Sequence, residues 1–595
     1  MPSNPHFPSS RRLGRAALCA LTLISLAVGL LPETSTASSP FLSGAALWAL
    51  ALGGLWVLYG AWLRLERPLT PVRLWVLAAL FAGVVTLGRS FAAVGTAELV
   101  TSHRLKALLA FAGQVPLYMA VMRLFSNALT HSAPLERKAP RVVFGFGFLL
   151  LCWLPYWLAT FPGTVSNDSI TQIQELFGVV PMSNGNPVFQ TWLIGLFCRV
   201  GQWLGGADAA VALYCGVQAA LMAWLLGLLT SEMAQSGAPG WLVWGSLAFY
   251  ALCPVFPTFA LCMGKDTNFA MAVLFLSLSA WRFLRGAEGS RSRARDAACL
   301  SLAAVLCALL RNAGVYLAAL TLALLLCRSL RKPVRGRGAW LAPSLGLLAT
   351  LSVFGALRLL ILPGLDIRPM PETENYSLPL QQVARVAASH PLAPEEAAAI
   401  DGVLELDRLA DAYNGELSDP VKLLWREDAT AEEKAAFWRT WLSLLGKHPA
   451  TCLSATFHNT YGYLYPGYMS VIKPTLLLGD QSTRTASAKG LFDYSVNPRA
   501  ETLKTLLARL AQNPLYRALL SPGLYGWLTL FAAALLLGRG RRRALPAAVP
   551  ALFTLAGCLL SAVNGYFRYA MPLYLCAPLL LWLLTTRIFE GSVRA

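Results

Sequence analysis

The chain has 595 residues, of which 56% are hydrophobic and only 13% are charged, and its formal net charge is +19. Soluble proteins carry about 25% charged residues, so this composition excludes an ordinary soluble protein, whose surfaces need polar cover. The basic residues occur in short groups between apolar runs and form no single patch, which argues against nucleic-acid binding.

The apolar runs predict an all-α polytopic membrane protein with about fourteen transmembrane helices, since a span needs about 20 mostly apolar residues. The first run follows Arg11, Arg12 and Arg15. It is predicted to be an uncleaved signal anchor, because Ala37-Ser38-Ser39 is a weak cleavage site and a second span begins at once. In chain order the predicted spans are residues 14–32, 41–63, 72–89, 105–125, 142–161, 208–231, 240–258, 267–284, 297–310, 313–327, 339–361, 521–538, 545–563 and 570–587.

Lysine and arginine collect in the connections that follow the even-numbered spans. Cytoplasmic loops carry an excess of these residues, so both termini are predicted to lie in the cytoplasm of a cell-membrane protein. The turn from Glu232 to Pro239 is a weak case. The basic residues are Arg64, Arg67 and Arg73; Arg137, Lys138 and Arg141; Arg282, Arg285, Arg291, Arg293 and Arg295; Arg331, Lys332, Arg335 and Arg337; and Arg539, Arg541, Arg542 and Arg543.

Two connections on the opposite, extracytoplasmic side are too long to be turns. Within the first, residues 187–204 predict an interfacial helix that lies along the membrane. The second lies between the eleventh and twelfth spans and is polar, with helix starts predicted at Pro394-Glu395-Glu396 and Asp419-Pro420. These features predict four regions: accessory transmembrane helices (1–140), a transmembrane core with two outer loops (141–361), a mainly helical extracytoplasmic domain (362–520) and C-terminal transmembrane helices (521–595).

Common catalytic motifs are absent from the sequence in any usable context, including Walker, HExxH, GxSxG and dinucleotide fingerprints. The twelve cysteines lie mostly in apolar runs, without CxxC pairs or Cys/His ligand spacing. They are therefore interpreted as small buried residues. Chemistry outside the membrane has no ATP to draw on, so a donor there has to arrive attached to lipid.

Carboxylates in the two shorter outer loops are the first candidates for chemistry. Asp168 follows a span, where shielding from water would raise its pKa and suit it to act as a general base; alternatively, Asn167 or Asp168 is a helix N-cap. Lys265-Asp266 lies in the second outer loop and opens the next span. The pair either holds an anion, or consists of a cap and a lysine that reaches the membrane interface.

Two arginines lie outside by the same topology, where the positive-inside rule disfavours them. Arg311, before Asn312, and Arg568 are candidates for phosphate binding, because the guanidinium presents a planar set of donors. The alternative is a structural ion pair with Asp168, Asp266 or Glu175.

The large loop contains candidate residues for an acceptor site or a lid. Gln381, Gln382 and Arg385 lie together, and His448 and His458 follow later. The tyrosines after His458 are interpreted either as a sugar-stacking surface or as an interfacial aromatic belt. They are Tyr461, Tyr463, Tyr465 and Tyr468.

The order of these features from about Arg141 to Ile588 resembles the GT-C superfamily of membrane glycosyltransferases, in particular a poorly characterised bacterial branch that is Rgt-like and similar to protein O-mannosyltransferases. The first four spans fall outside the resemblance. The features that carry it are the Ser166-Asn-Asp loop, Asn186-Pro-Val-Phe-Gln-Thr-Trp-Leu, Lys265-Asp266, Arg311-Asn312, the long outer domain, and Arg568-Tyr569 before Pro572.

The resemblance implies transfer of a sugar from a polyprenyl-phosphate donor to a cell-envelope glycan, lipid or protein. It implies Asp168 as general base, Asp266 as a second acid, and Lys265, Arg311 and Arg568 as donor-phosphate ligands. Gln382, Arg385, His458 and Tyr461 are the corresponding acceptor or lid candidates. Two departures are Asn186, where relatives often have His, and the family's paired acidic motif, reduced here to Asp168. Some relatives use a divalent metal; a single Asp168 does not demand one, and no cofactor is certain.

Two other functions fit the same pattern. A transporter or flippase for a lipid-linked saccharide would need charged groups in the middle of spans, which are few here. A non-catalytic scaffold would bind an envelope partner through the outer domain. Convergence of Asp168, Asp266 and Arg568 distinguishes an enzyme from the scaffold.

Overall fold

The computed structural model describes residues 7–28, 45–65, 69, 71–135, 140–286, 290–331, 338–468, 489–538 and 541–585. Most of these residues are helical. The α-helices are α1 (Phe7–Ala27), α2 (Ala45–Leu63), α3 (Val72–Val94), α4 (Glu98–Ser102), α5 (Arg104–His131), α6 (Val142–Thr160), α7 (Asn167–Leu176), α8 (Val188–Leu204), α9 (Ala207–Gln235), α10 (Gly240–Leu252), α11 (Val255–Ala260), α12 (Lys265–Arg285), α13 (Ser290–Leu310), α14 (Gly314–Arg331), α15 (Leu341–Ala356), α16 (Leu362–Gly364), α17 (Ser377–Ser389), α18 (Pro394–Asp401), α19 (Leu406–Ala412), α20 (Asp419–Lys422), α21 (Ala431–Lys447), α22 (Pro449–Thr460), α23 (Arg499–Leu510), α24 (Pro514–Leu520), α25 (Pro522–Leu536), α26 (Leu545–Cys558) and α27 (Phe567–Thr585).

The molecule is an all-α membrane protein, as predicted. Among the described helices, eight are long and apolar enough to cross a bilayer. They are α3, α5, α6, α9, α12, α14, the stretch Leu341–Gly364 and α27. Each of the fourteen predicted segments overlaps a helix, but the number of spans stays a prediction. The weak cleavage sequence at 37–39, where no cleavage is predicted, lies outside the described residues, as do Arg67, Arg137, Lys138, Lys332, Arg335, Arg337 and Arg539.

Several helix boundaries differ from the predicted spans for identifiable reasons. The helix predicted over 240–258 ends at Leu252, because Pro254 disfavours helical backbone at the residue before it. Conversely, α13 begins at Ser290, seven residues before the predicted span, and continues through charged residues that a hydropathy window excludes. Hydropathy finds the apolar part of a helix, and the helix itself ends where its backbone hydrogen bonds end.

Two short strands occur in the described part of the chain, and they pair with each other. Strands β1 (Thr164–Val165) and β2 (Cys262–Met263) are parallel, with Val165 opposite Met263. The chain enters β1 through Gly163, whose φ of 146° disfavours other residues and whose Cβ would lie 2.6 Å from Sγ of Cys215. Since α7 follows β1 and α12 follows β2, this pairing sets where the two helices begin.

The first of two compact units combines residues 1–132, 377–468 and 562–564. Within it, α1 and α3 pack on α5, α17 packs on α22, and α3 contacts the turn Tyr461–Tyr463. The helix starts predicted at Pro394 and Asp419 are confirmed by α18 and α20. This unit therefore joins part of the long polar segment to helices from the chain's beginning.

The second unit comprises residues 133–376, 469–561 and 565–595. Its centre is formed by α12 and α27. In the most apolar stretch of these two helices, 78% and 83% of the residues are buried, compared with 17% for α6. Helix α6 instead packs on α9, where Gly145 and Gly227 meet so closely that a Cβ on Gly145 would lie 2.9 Å from Cα of Gly227. The buried central helices carry two of the predicted site segments at their N-terminal ends.

Candidate functional site

Asp168 lies in the first turn of α7, directly after the helix N-cap. The cap is Ser166, which has extended backbone and whose Oγ accepts a hydrogen bond from the backbone N–H of Ser169 at 3.2 Å. The interpretation of Asn167 or Asp168 as the cap is therefore wrong. A carboxylate in the first turn is also favoured by the helix dipole, and here it is available for contacts outside α7.

Lys265 and Asp266 form the first turn of α12, after the N-cap Gly264. The backbone N–H of Ser166 donates to the Met263 carbonyl at 3.1 Å, and Oγ of Ser169 donates to the same oxygen at 2.9 Å. These bonds hold the start of α7 against the end of β2. Consequently Lys265 emerges beside Asp168, and neither Lys265 nor Asp266 serves as the cap.

Five charged side chains meet at these helix ends, and we call them the charge cluster: Asp168, Lys265, Asp266, Arg311 and Arg568. Asp168 Oδ2 lies 2.9 Å from Lys265 Nζ and 3.0 Å from Arg568 Nη1. Arg568 Nε lies 3.6 Å from Asp266 Oδ2, and Arg311 Nη1 lies 3.7 Å from Asp266 Oδ1. A single guanidinium, that of Arg568, therefore connects both predicted acids.

The charge cluster contains three cations and two carboxylates, so it has one positive charge in surplus. Its side chains are partly shielded, with exposed fractions from 12% for Asp266 to 33% for Arg311. Burial alone would raise the pKa of the Asp168 carboxyl, but Lys265 and Arg568 outweigh burial and hold that pKa below its usual range. The raised pKa expected from the sequence is wrong, and Asp168 is ionised at neutral pH.

Aromatic rings line the two arginines of the charge cluster. The Tyr569 ring centroid lies 5.0 Å from Cζ of Arg311 and 5.2 Å from Cζ of Arg568. Tyr566 lies 4.9 Å from Arg568 on the same measure, and Phe269 lies 5.4 Å from Arg311. Such cation–π contacts fix guanidinium planes without neutralising their charge. The positive surplus therefore persists.

Asparagines hold the cationic residues in place. Asn186 Oδ1 accepts a hydrogen bond from Lys265 Nζ. Asn312 Nδ2 donates to the Asn184 carbonyl at 2.9 Å, and Asn184 Nδ2 donates to Asn312 Oδ1 at 3.2 Å. The segment around residues 184–186 is therefore attached both to Lys265 and to the turn that carries Arg311. Asn186 thus makes a polar contact with the cluster.

The predicted acceptor residues belong to the first unit. Arg385 Nη1 donates to Tyr413 Oη at 3.0 Å and lies 3.3 Å from His458 Nδ1, while its Nη2 donates to the Gly95 carbonyl at 3.3 Å. Burial and the Arg385 charge lower the pKa of His458 to about 4, so this ring is neutral at pH 7. The structure thus brings Arg385 and His458 into contact.

The other predicted acceptor residues make separate contacts within that unit. Gln382 donates to Thr456 Oγ1 at 2.8 Å and accepts from Trp441 Nε1 at 2.8 Å. Tyr461 is fully buried and donates to Glu416, so its ring is neither an open sugar-stacking face nor part of an interfacial belt. Tyr463 is equally buried. Whether Gln382, Arg385, His458 and Tyr461 bind an acceptor stays a prediction.

Sequence reasoning missed the buried Gln172 on α7, and it considered Glu175 only as an ion-pair partner of the two arginines, which contact Asp168 and Asp266 instead. Gln172 and Glu175 follow Asp168 by four and seven residues, which places all three on one face of the helix. Burial raises the pKa of Glu175 to about 7, with smaller opposing effects from the Ser183 N–H and Lys265. The signal was present as a polar face in a helix whose other face contains Ile170 and Ile173, both in the apolar core.

No group of three or more His, Cys, Asp or Glu side chains is placed to hold a metal ion in the described ranges. The two acids of the charge cluster each contact cationic side chains, which would repel a divalent ion. These residues do not fit a metal site, and no catalytic step is derived through one.

Comparison with known proteins gives one match. A family model described as "Family of unknown function (DUF6020)" matches residues 178–590. No curated protein and no solved structure matches the chain. The matched region contains Lys265, Asp266, Arg311 and Arg568, and Asp168 precedes it by ten residues.

Proposed function

This chain belongs to the DUF6020 family, whose function is unknown, and we propose that it is a membrane glycosyltransferase of the GT-C type. It transfers a sugar from a polyprenyl-phosphate donor to an extracytoplasmic acceptor in the cell envelope. Fourteen spans, cytoplasmic termini and an outer site belong to this proposal. The observation that carries it is the contact of one guanidinium, Arg568, with both Asp168 and Asp266 in a cluster that has a positive surplus.

The arrangement of charge along the central helices supports an outer site. The charge cluster lies at the N-terminal ends of α12 and α27 and in the turn before α14. The other ends of α12 and α14 carry Arg282, Arg285, Arg328 and Arg331. The positive-inside rule favours a cytoplasmic position for these basic ends. This supports an outer position for the cluster, on the face where a lipid-linked donor replaces nucleotide sugars.

A lipid phosphate suits the charge cluster because phosphate accepts hydrogen bonds from Lys and Arg side chains. Lys265 and Arg568 now bind Asp168, so an incoming phosphate competes with this carboxylate for the same donors. As those contacts pass to the phosphate, the pKa of Asp168 rises toward the range expected of a shielded carboxylate. Donor binding thereby converts Asp168 from an ion-pair partner into a better base.

In the proposed reaction, Asp168 takes the proton of the acceptor hydroxyl while the acceptor oxygen forms a bond to the anomeric carbon. The bond between that carbon and the phosphate oxygen breaks, and polyprenyl phosphate leaves with the electron pair. Lys265 and Arg568 stabilise the negative charge that develops on the leaving phosphate. Arg311 holds Asp266, whose second contact positions Arg568.

The test is the substitution Asp168→Asn, measured as release of polyprenyl phosphate from a labelled polyprenyl-phosphate sugar in membranes that contain native envelope. The rate of transfer is expected to fall about 100-fold or more, because general-base catalysis typically contributes at least about 100-fold to a rate. Asp208→Asn is the matched control, because Asp208 also lies in a first helix turn but contacts only Ser495 among the described residues. Unchanged transfer by the Asp168 variant would refute the assignment.

A transporter for lipid-linked saccharides is less well supported, because the charge cluster lies at helix ends and a transport pathway needs polar groups near mid-span. Reconstitution in liposomes separates the two functions. Movement of the lipid-linked sugar across the bilayer, without any glycoside product, would favour the transporter.

A further inference from the structure

One face of α7 is a buried polar stripe that continues from the charge cluster. Asp168, Gln172 and Glu175 lie at positions i, i+4 and i+7, which repeat on the same side of a helix. Gln172 is 0% exposed and Glu175 is 7% exposed. A buried helix face normally carries apolar residues, so two buried polar side chains beside a site need partners.

These side chains are only partly satisfied by the described residues. Gln172 Nε2 donates to Thr191 Oγ1 at 2.8 Å, but its Oε1 has no hydrogen-bond donor in the described ranges. Glu175 Oε1 accepts from the Ser183 N–H at 3.2 Å, while its Oε2 has no donor there either. Asn184, 1% exposed, likewise has an unpartnered Oδ1. Three buried oxygen atoms are thus without a donor from this part of the protein.

Gln172 is bonded to Thr191 on α8, whereas Glu175 and Asn184 are connected to the charge cluster through the segment 183–186. Glu175 accepts a hydrogen bond from the backbone N–H of Ser183, the first residue of this segment. The side chain of Asn184 donates to that of Asn312, next to Arg311. At the other end of the segment Asn186 accepts from Lys265. Two of the three residues with unpartnered oxygens, Glu175 and Asn184, are thus bonded to the segment that also contacts Lys265 and the turn that carries Arg311.

We propose that Gln172, Glu175 and Asn184 form a subsite that accepts hydrogen bonds from the hydroxyl groups of the sugar on the donor lipid. This inference rests on the proposed function. A sugar presents several hydroxyl donors at fixed spacing beyond the phosphate group. A lipid phosphate without a sugar has no such hydroxyl groups. Because the oxygens are buried, a sugar reaches them only when the residues that cover them move aside.

The three acceptor oxygens of this subsite are buried and have lost access to water. A buried acceptor without a donor is costly, so a ligand that supplies the donor binds more tightly than one that does not, by about tenfold for each hydrogen bond. The subsite would therefore set preference for the sugar, while Lys265, Arg311 and Arg568 set affinity for the phosphate common to all donors.

The experiment compares lipids that differ only in the sugar. The full-length protein in nanodiscs is titrated with undecaprenyl phosphate and with its glucosyl, mannosyl and arabinofuranosyl conjugates. The wild type is expected to bind at least one conjugate about tenfold more tightly than undecaprenyl phosphate. Gln172→Met and Glu175→Met should each reduce this ratio about tenfold and leave the affinity for undecaprenyl phosphate within about twofold; an unchanged ratio in both variants would overturn the subsite.

A conservative variant and a control make the result specific. Glu175→Gln should retain most of the sugar preference, because an amide can still exchange a hydrogen bond with a hydroxyl. Glu501→Gln, in an exposed ion pair with Lys504, should behave as the wild type. If a Met variant does not fold, the Gln172→Asn variant, which shortens the side chain and withdraws its oxygen, replaces it in the same measurement.

Each other outcome has a defined meaning. Equal loss of affinity for all lipids would show that these residues only support the fold, and would overturn the subsite. Tight binding of every lipid without preference would also overturn it, while leaving the phosphate site intact. A wild-type protein that binds none of the lipids would instead contradict the proposed function.

Discussion

Arg568 and Asp168 lie 400 positions apart in the sequence, yet Nη1 of the arginine is 3.0 Å from Oδ2 of the aspartate. The same guanidinium reaches Asp266 through Nε, and Lys265 binds the same oxygen of Asp168. Asp168 is thus the carboxylate that any incoming anion would have to displace from two cations. Opposite effects on binding and on transfer follow from this competition.

Asp168→Asn should tighten the binding of undecaprenyl phosphate even though it should lower transfer about 100-fold or more. The substitution removes a competing negative charge and raises the positive surplus of the charge cluster from one to two. We expect affinity to increase about tenfold at low salt, and this gain to shrink as salt screens the added charge. Titration of the protein in nanodiscs at two salt concentrations measures it, with Asp208→Asn as control. Weaker binding by the Asp168 variant would mean that this carboxylate does not compete with the phosphate.

Arg568→Lys should lower transfer although it conserves the charge. A lysine carries one ammonium group and cannot contact Asp168 and Asp266 together, as the guanidinium does through Nη1 and Nε. The expected loss corresponds to one charge-assisted hydrogen bond, about 1.5–3 kcal/mol, or roughly 10- to 150-fold in rate. Arg509→Lys, on the exposed helix α23, is the control for the same exchange. Full activity of Arg568→Lys would show that the two-carboxylate contact is dispensable.

Glu175 should make stability fall as pH rises through its titration range. Burial raises its pKa from an ordinary value of 4.5 to about 7 in the folded protein. Between these values the folded state holds a proton that the unfolded state has lost, so stability declines with increasing pH across this window. Thermal unfolding of the wild type and of Glu175→Gln from pH 5 to pH 8 tests this. The melting temperature of the wild type, relative to that of Glu175→Gln, should fall toward pH 8. A difference that does not change with pH would contradict the raised pKa of Glu175.

Arg385→Gln should raise the pKa of His458. Burial is the larger reason for the low value of about 4, and the positive charge of Arg385 adds to it. Removal of this charge should move the pKa upward but leave it below 6.5, because burial persists. NMR of isotope-labelled histidine side chains follows the titration. Arg385→Lys keeps a positive charge and should produce a smaller change; equal shifts in both variants would indicate that repacking dominates.

The sequence was sufficient to predict where helices lie and that Asp168, Lys265, Asp266, Arg311 and Arg568 occupy helix ends. Hydropathy and basic residues report on each segment separately, so they could not predict which partners these side chains choose. The low pKa of Asp168 depends on contacts with segments about 100 and 400 positions away. For that reason, an expectation based on burial alone gave the wrong direction for the pKa shift of Asp168.

Other differences have similar causes. In the sequence, Glu175 and Gln172 look like ordinary polar residues of a short helix. Their unpartnered oxygens can be recognised only when all residues packed around that helix are known. Tyr461 looked like part of a surface in the sequence, but Phe91 from α3 packs on it at a ring distance of 6.1 Å. A packing partner about 370 positions earlier in the chain leaves no local pattern.

The parallel pairing of Val165 with Met263 has a consequence for how the chain can change in length. Two residues separate Val165 from Asp168, and one separates Met263 from Lys265. An inserted residue in either interval would lengthen the extended connection between strand and helix by up to about 3.3 Å, which would move Asp168 or Lys265 away from its partner. Insertions and deletions should therefore be excluded from these two short intervals and be tolerated in the connections at the opposite helix ends. Scanning single-residue insertions across both regions would map this boundary directly.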